Sequence, residues 1–470
     1  MDIQEFLKQN LNKDSKLYKD LLEFLSLKSI SSKDIKDSQI QQTANWLIKK
    51  LQEYGFSNIN MLMPKNKTAF VDGIPTITAE YMVDTNLPTI AIYGHYDVQP
   101  TGEPDWKTDP FTPTLVNNRL YARGASDTKG RLWASILAIY CYIHHLNKKN
   151  QRFNIKLILE GEEEIGSPTV MQLLKEDPTV FKANYFFIND MGQINDSTPT
   201  VVYSLRGAVY YHLWLKTGEK QLHSGHYGNL ALNASQLMTY VLFKLNDIWR
   251  NVIRIPNLRK GVRKVGAGET EALASVSPAW EQIKQDSQTY VLTPYRASKQ
   301  PISPLALTGV YPSLDVHGIW SGYTQKGIKT IIPNTAEANF SLRLVPNLHP
   351  KQVTELLEKY LNKLLKRFKG VEYRLETLVA FDPFFEDPNK PELKLLQQIV
   401  SKVYQKPAVM APLGSSIGLL STYKKQLPNT TVLIHGLGLT KDNVHAANES
   451  ISLEQINKGA LVLHEVLNKV

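Results

Sequence analysis

"AIYGHYDVQP", residues 91–100, begins as a buried strand and ends as chemistry. With Thr89 and Ile90 it forms an apolar run, "TIAIY", that then delivers His95 and Asp97 two residues apart. In an extended chain, residues two apart lie on the same side. Asp97 is therefore placed to accept a hydrogen bond from whichever ring nitrogen of His95 is not used as a ligand, fixing the tautomer and orientation of the ring.

Working outward, other short apolar runs repeat this design: "IKLILE" at 155–160, "YFFIND" at 185–190 and "TVLIHG" at 431–436. Runs of this length, apolar on both faces, suit central parallel strands covered by helices on both sides. Helical spacing falls between them, in "LYKDLLEFLSL", in "QQTANWLIKKLQEYG" ending at Gly55, and after Lys129. Ser167 and Pro168 are expected to cap and open a helix in "SPTVMQLLKED", and Ser452 with Gln455 predicts a capping box. The class is α/β.

From about 206 to 385 the pattern changes. Alternating strands such as "AVYYHLWLKTG" and "EANFSLRLVP" accompany the amphipathic helices "NASQLMTYVLFKL" and "PKQVTELLEKYLNKLLKRF". This is an α+β insert in a discontinuous first domain. The boundaries are 1–205 and 386–470 for the catalytic domain and 206–385 for the insert, with an irregular excursion expected over 245–310.

Composition excludes other classes. The 470 residues are 42% hydrophobic and 21% charged, a globular balance. The net charge of +10 comes mostly from scattered lysine and carries no nucleic-acid-binding signature. Its densest stretch, "RNVIRIPNLRKGVRK" at 250–264, reads as a solvated face. No apolar run reaches the length of a membrane span, and no secretory leader pattern opens the chain. The single cysteine, Cys141, excludes an internal disulfide and is expected in a helix core. A cytoplasmic protein that binds neither nucleic acid nor membrane is the expectation.

Each apolar strand ends in metal-type ligands: His95, the glutamates 160 and 162–164, and Asp190. Asp127 stands in the Gly-punctuated "YARGASDTKGRL", and His445 in a loop after "TVLIHG". Ligands in open α/β sheets bind beyond the carboxyl ends of the strands, so these residues are expected to converge. Taken singly, each has a plainer alternative: a surface His–Asp pair, a charged turn, a helix cap. Taken together, two histidines and several carboxylates without cysteine suit Zn²⁺, Mn²⁺ or Co²⁺. Three carboxylates and a hydroxide would neutralise a pair of divalent ions sharing one carboxylate and one water.

"GHYDVQP", "RGASDTKG", "EGEEEIGSP", "LHSGHYG", "SLRLVPN" and "NVHAANES" together resemble the dinuclear zinc exopeptidase and aminoacylase family, over about residues 90–450. Within it they look most like the carnosinase-like, cytosolic nonspecific dipeptidase branch. The resemblance implies a zinc-exopeptidase-like, mostly parallel sheet with a ferredoxin-like lid and dimerisation domain inserted. It implies two divalent ions, zinc foremost, with His95 and Asp190 on one, Glu164 and His445 on the other, and Asp127 bridging. Glu163 would be the general base, a choice over Glu162 that counting carboxylates does not make, and Asp97 would support catalysis from behind His95.

By the same resemblance His223 would stabilise the oxyanion from a partner subunit in a homodimer. Thr330, Arg343 and Ser416, with His223 and His445, would hold a small peptide substrate by its free carboxylate. Thr128 stands where many relatives carry a second Asp; the position bears no ligand. The implied activity is dipeptide hydrolysis, with N-acyl amino acid deacylation or desuccinylation as the alternative on the same metal centre. An exposed strand arginine and a structural loop histidine are the plainer alternatives for Arg343 and His223.

Overall fold

The computed structural model describes residues 2–31, 38–65, 73–248, 252–287 and 302–470. They form two compact units: residues 1–203, 386–411 and 417–470 in the first, and 204–385 with 412–416 in the second.

The first unit is built on a mixed sheet. Its strands run in the spatial order Ser57–Leu62, Thr76–Tyr81, Asn154–Glu160, Thr89–His95, Tyr185–Gly192, Thr431–Gly438, Thr200–Leu205. The four apolar runs are neighbours and parallel: Thr89–His95 pairs with Asn154–Glu160 on one side and Tyr185–Gly192 on the other, and Thr431–Gly438 follows. Register sets His95 beside Glu160. Parallel strands share a direction, so four carboxyl ends, each rich in polar residues, open on one side.

Both faces are covered, which is why these strands read as apolar throughout. Phe187 joins a core with helices Lys16–Ser26, Lys129–His145 and Leu453–Lys469, whereas Phe186 packs on Tyr423 of helix Gly418–Gln426, ring centroids 4.1 Å apart. Cys141 is buried in the Lys129–His145 helix. That helix lies so close to the first parallel strand that a Cβ on Gly94 would stand 2.9 Å from Leu132. The Ser452–Gln455 capping box opens Leu453–Lys469 as expected.

Ser167 does not cap its helix. It adopts a left-handed conformation (φ 59°) and its hydroxyl donates instead to Glu160 Oε1 at 2.9 Å. The free N–H at the start of Pro168–Glu176 is taken by Glu162, whose carboxylate accepts from Thr169 N at 2.9 Å. A carboxylate near a helix N-terminus is the stronger acceptor, and it displaced the hydroxyl.

The second unit has the strand order Glu372–Phe381, Gly207–Lys216, Thr335–Leu344, Ser313–Ser321, all antiparallel. With helices Ala234–Leu245 and Pro350–Leu365 in between, the chain order is βαββαβ and the sheet order 4-1-3-2, the ferredoxin-like arrangement. One face of the sheet, including Val209, Tyr211, Leu213, Leu215, Ala338 and Phe340, packs with both helices in one core. Three features add detail to this unit. Over 245–310 the described residues include helices Ala267–Val276, Trp280–Ser287 and Pro304–Val310, with 249–251 and 288–301 outside the description. Arg254 pairs with Asp247 at 2.6 Å and Arg263 with Glu269 at 2.5 Å, so part of the basic stretch is neutralised. And Pro412–Ser416 clusters with this unit although the chain on both sides belongs to the first. No helix among the described residues is long and apolar enough to cross a membrane.

Candidate active site

At the carboxyl ends of the parallel strands His95, Asp127, Glu164, Asp190 and His445 come together. Two overlapping groups form, His95–Asp127–Asp190 and Asp127–Glu164–His445, each with its ligand-type atoms within 4.8 Å of one another. Asp127 belongs to both. Its Oδ1 lies 3.1 Å from His95 Nε2 and its Oδ2 2.9 Å from His445 Nε2. Asp190 Oδ2 stands 3.5 Å from His95 Nε2, and Glu164 Oε2 3.2 Å from His445 Nε2. The peptide bond between Asp127 and Thr128 is cis.

Asp97 sits behind this arrangement, fully buried. One of its oxygens is 3.2 Å from His95 Nδ1, and the backbone N–H groups of Glu163 and Glu164 donate to the carboxylate at 3.3 and 3.1 Å. His95 Nδ1 also lies 3.1 Å from the Asp97 carbonyl oxygen. Both of its neighbours are acceptors, so Nδ1 carries a proton. Nε2 faces the carboxylates of Asp127 and Asp190, a position held in the ion-free protein by a second proton and open to a metal ion in its place.

The glutamates divide. Glu160 accepts from Tyr93 Oη at 2.5 Å and from Ser167, and Glu162 from Ile74 N and Thr169 N. Glu164 receives Gln99 Nε2 at 2.8 Å on Oε2, while its Oε1 is buried without a hydrogen-bond partner. Among the described residues nothing donates a hydrogen bond to the Glu163 carboxylate. Burial pushes that carboxyl well above the usual range; His95 opposes this, and Asp190, Asp127 and Glu164 add to it. Burial alone would lower the His95 imidazole, yet Asp190, Asp127 and Asp97 hold it well above its ordinary value. Hydrogen bonds to Asp127 and Glu164 push His445 up to about 10. Burial would raise Asp127, but His445 and His95 hold it far below the usual carboxylate range.

Supporting groups that the sequence reading did not single out surround this cage. Arg131 gives one nitrogen to Asp190 Oδ1 at 3.3 Å and another to Ser126 Oγ at 2.8 Å. It passes where a Cβ on Gly438 would stand 2.2 Å away, so any side chain there would push the guanidinium off Asp190 and Ser126. Glu449, buried, accepts from the backbone N–H groups of Gly124, Ser126 and Asp127 and from Arg123. Arg123 also donates to the Ala446 carbonyl, tying the turn that carries Asp127 to the loop that carries His445. Both had a faint signal: Arg131 lies four residues after Asp127, and Glu449 four after His445, in otherwise small polar surroundings.

The remaining expected site residues lie in the second unit, in two pairs. His223 Nε2 is 3.5 Å from Thr330 Oγ1. Arg343 donates to Ser416 Oγ at 3.1 Å and to Tyr210 Oη at 3.2 Å.

The donor set fits divalent metal ions: imidazole nitrogens and carboxylate oxygens without sulfur, one buried orphan oxygen on Glu164, and a carboxylate whose two oxygens face different histidines. Fold and cage together define a metallohydrolase. The chain belongs to peptidase family M20/M25/M40, whose model matches residues 91–469. It is 29% identical over 385 residues to the Beta-Ala-His dipeptidase of Mus musculus, covering 80% of this chain and 76% of that one. To the cysteinylglycine-S-conjugate dipeptidase of Corynebacterium striatum it is 25% identical, covering 96% and 95%. Among solved structures it is similar to the M20 family metallo-carboxypeptidase Sso-CP2 from Sulfolobus solfataricus, with a TM-score of 0.82, 29% identity and coverage of 97% and 99%.

Because His95 and His445 keep their protons at neutral pH in the ion-free protein, a divalent ion must displace them. Affinity is therefore expected to rise with pH up to about 10, where His445 deprotonates unaided. Calorimetry of Zn²⁺ or Mn²⁺ binding at pH 7 in buffers of different ionisation enthalpy should register protons released on binding. Uptake with no proton release at pH 7 would contradict the geometry described.

Proposed function

We propose that this chain is a metal-dependent dipeptidase that cleaves the peptide bond next to a free C-terminal carboxylate. The observation that carries the proposal is the half-buried carboxylate of Glu163, which takes no hydrogen bond from any described residue, beside two ligand groups that share Asp127. The dipeptidase names of the relatives favour dipeptides over N-acyl amino acids.

Two divalent ions, zinc foremost, would be held by His95 and Asp190 on one side and by Glu164 and His445 on the other, with Asp127 between them. When bound they supply the Lewis acidity that makes water a nucleophile near neutral pH and polarises the scissile carbonyl. Glu163 takes one proton from the attacking water and passes it to the departing amine nitrogen, and the water's other proton is lost as the new carboxyl group ionises. Burial suits Glu163 to this, because it raises the carboxyl toward the working pH. Asp97 holds the His95 ring and, through the backbone of residues 163–164, both glutamates.

For the second unit we assign substrate binding. His223 donates to the oxyanion, and Thr330, Arg343 and Ser416 receive the substrate's carboxylate; an Arg fork suits a planar anion. The resemblance supports a homodimer in which the partner subunit supplies the oxyanion histidine. A cytoplasmic location is supported by the cysteine content alone.

The direct test is turnover of a dipeptide panel against N-acetyl and N-succinyl amino acids, with Zn²⁺ or Mn²⁺ restored to stripped protein. Faster hydrolysis of dipeptides is expected; preference for the acyl amino acids would reassign the chain as a deacylase. Glu163→Gln should bind metal normally and lose at least about 100-fold in kcat, and retention of substantial turnover would remove Glu163 from its role. A His223→Ala protein mixed and re-dimerised with an Asp190→Ala protein should regain activity through mixed dimers. Absence of any recovery would assign His223 to its own chain.

A further inference from the structure

Pro412–Ser416 leaves the first unit for five residues and returns to it, and one side chain of the second unit holds it there. The Arg206 backbone N–H donates to the Ser415 carbonyl at 3.1 Å, and its Nε donates to the Gly414 carbonyl at 3.0 Å. A third bond runs to Ser313 Oγ at 3.4 Å. Arg206 immediately precedes the Gly207–Lys216 strand, whose Ala208 is the register partner of Arg343, and Arg343 in turn faces Ser313. Arg206 and Arg343 therefore lie at the same end of one sheet.

Gly414 is packed tightly: an added Cβ would stand 3.1 Å from the Arg206 guanidinium and 3.1 Å from the Thr308 carbonyl. The next residues place Ser416 Oγ on Arg343. Among the described residues neither guanidinium has a carboxylate within ion-pairing distance. Burial pushes Arg206 down to about 10, with Arg343 adding and Asp315 opposing. Two neighbouring cations that bond only to carbonyls and hydroxyls leave positive charge to be answered by an external anion.

We infer that Arg206 is a positioning residue for carboxylate recognition: by pinning Gly414 and Ser415 it sets Ser416 against Arg343, building the anion-binding pair. This rests on the reading above that Arg343 and Ser416 take the substrate's carboxylate. A fork with donors in separate directions is needed to reach both the Gly414 carbonyl and Ser313, which a lysine ammonium does not reproduce.

The test compares a dipeptide with its C-terminal amide on metal-loaded, full-length wild type, Arg206→Met, Arg206→Lys and Arg343→Met. Wild type should favour the free acid through KM. Arg206→Met should raise KM for the acid about tenfold or more, with kcat nearly unchanged and the amide barely affected. Arg206→Lys should behave like Arg206→Met. The same comparison made as equilibrium binding in the Glu163→Gln background keeps the outcome readable without turnover. Wild-type KM in Arg206→Met, full recovery in Arg206→Lys, or equal losses on acid and amide would each overturn this inference alone, provided Arg343→Met loses the discrimination. An Arg343→Met protein that still discriminates acid from amide overturns the carboxylate reading itself, and this inference with it.

Discussion

The first unit depends on one carboxylate shared between two imidazoles. Asp127 turns one oxygen to His95 and the other to His445, within a cage that also holds Asp190, Glu164 and Glu163. So many carboxylates, most of them removed from water, repel one another unless positive charge lies between them. In the ion-free protein that charge comes from protons on the histidines, which is why both imidazoles sit above their ordinary range. The same arrangement is open to divalent ions in place of the protons.

Such a cage keeps its spacing only if each ligand is held from behind. Asp97 holds His95, and Arg131 takes the second oxygen of Asp190. Glu449 and Arg123 tie the Asp127 turn to the His445 loop, and Gln99 holds Glu164. Asp442 extends the network: buried, it accepts from Ser126 and Arg119, and Ser126 in turn accepts from Arg131. The run of glutamates after the second parallel strand is divided by the same logic. Glu160 and Glu162 are consumed by the turn that follows, through Ser167 and the helix start, which leaves Glu163 and Glu164 to face the cage. Four similar carboxylates thus acquire different partners from the path of the chain alone.

In the second unit the ferredoxin-like sheet brings residues distant in the chain to one end. Arg206, Ser313, Arg343 and the 412–416 segment meet because strand register places the first three there and hydrogen bonds capture the fourth. Among the described residues no carboxylate pairs with Arg206 or Arg343, so this end of the sheet is left positively charged.

Much of this was legible in the residues themselves. Apolar runs of strand length, each ending in a histidine or carboxylate, determined parallel strands with polar carboxyl ends, because periodicity and local composition are properties of a few consecutive residues. The residue types pointed to divalent ions held by nitrogen and oxygen, since donor hardness needs no coordinates. Tertiary structure alone decided which oxygen of Asp127 meets which histidine, that Glu162 and not Ser167 caps its helix, and that Glu449 and Arg131 stand behind the ligands. It also decided that Pro412–Ser416 joins the second unit. Those outcomes depend on contacts between residues up to some 320 positions apart, and competition among equivalent acceptors is settled only when the path of the chain brings one of them within hydrogen-bonding distance.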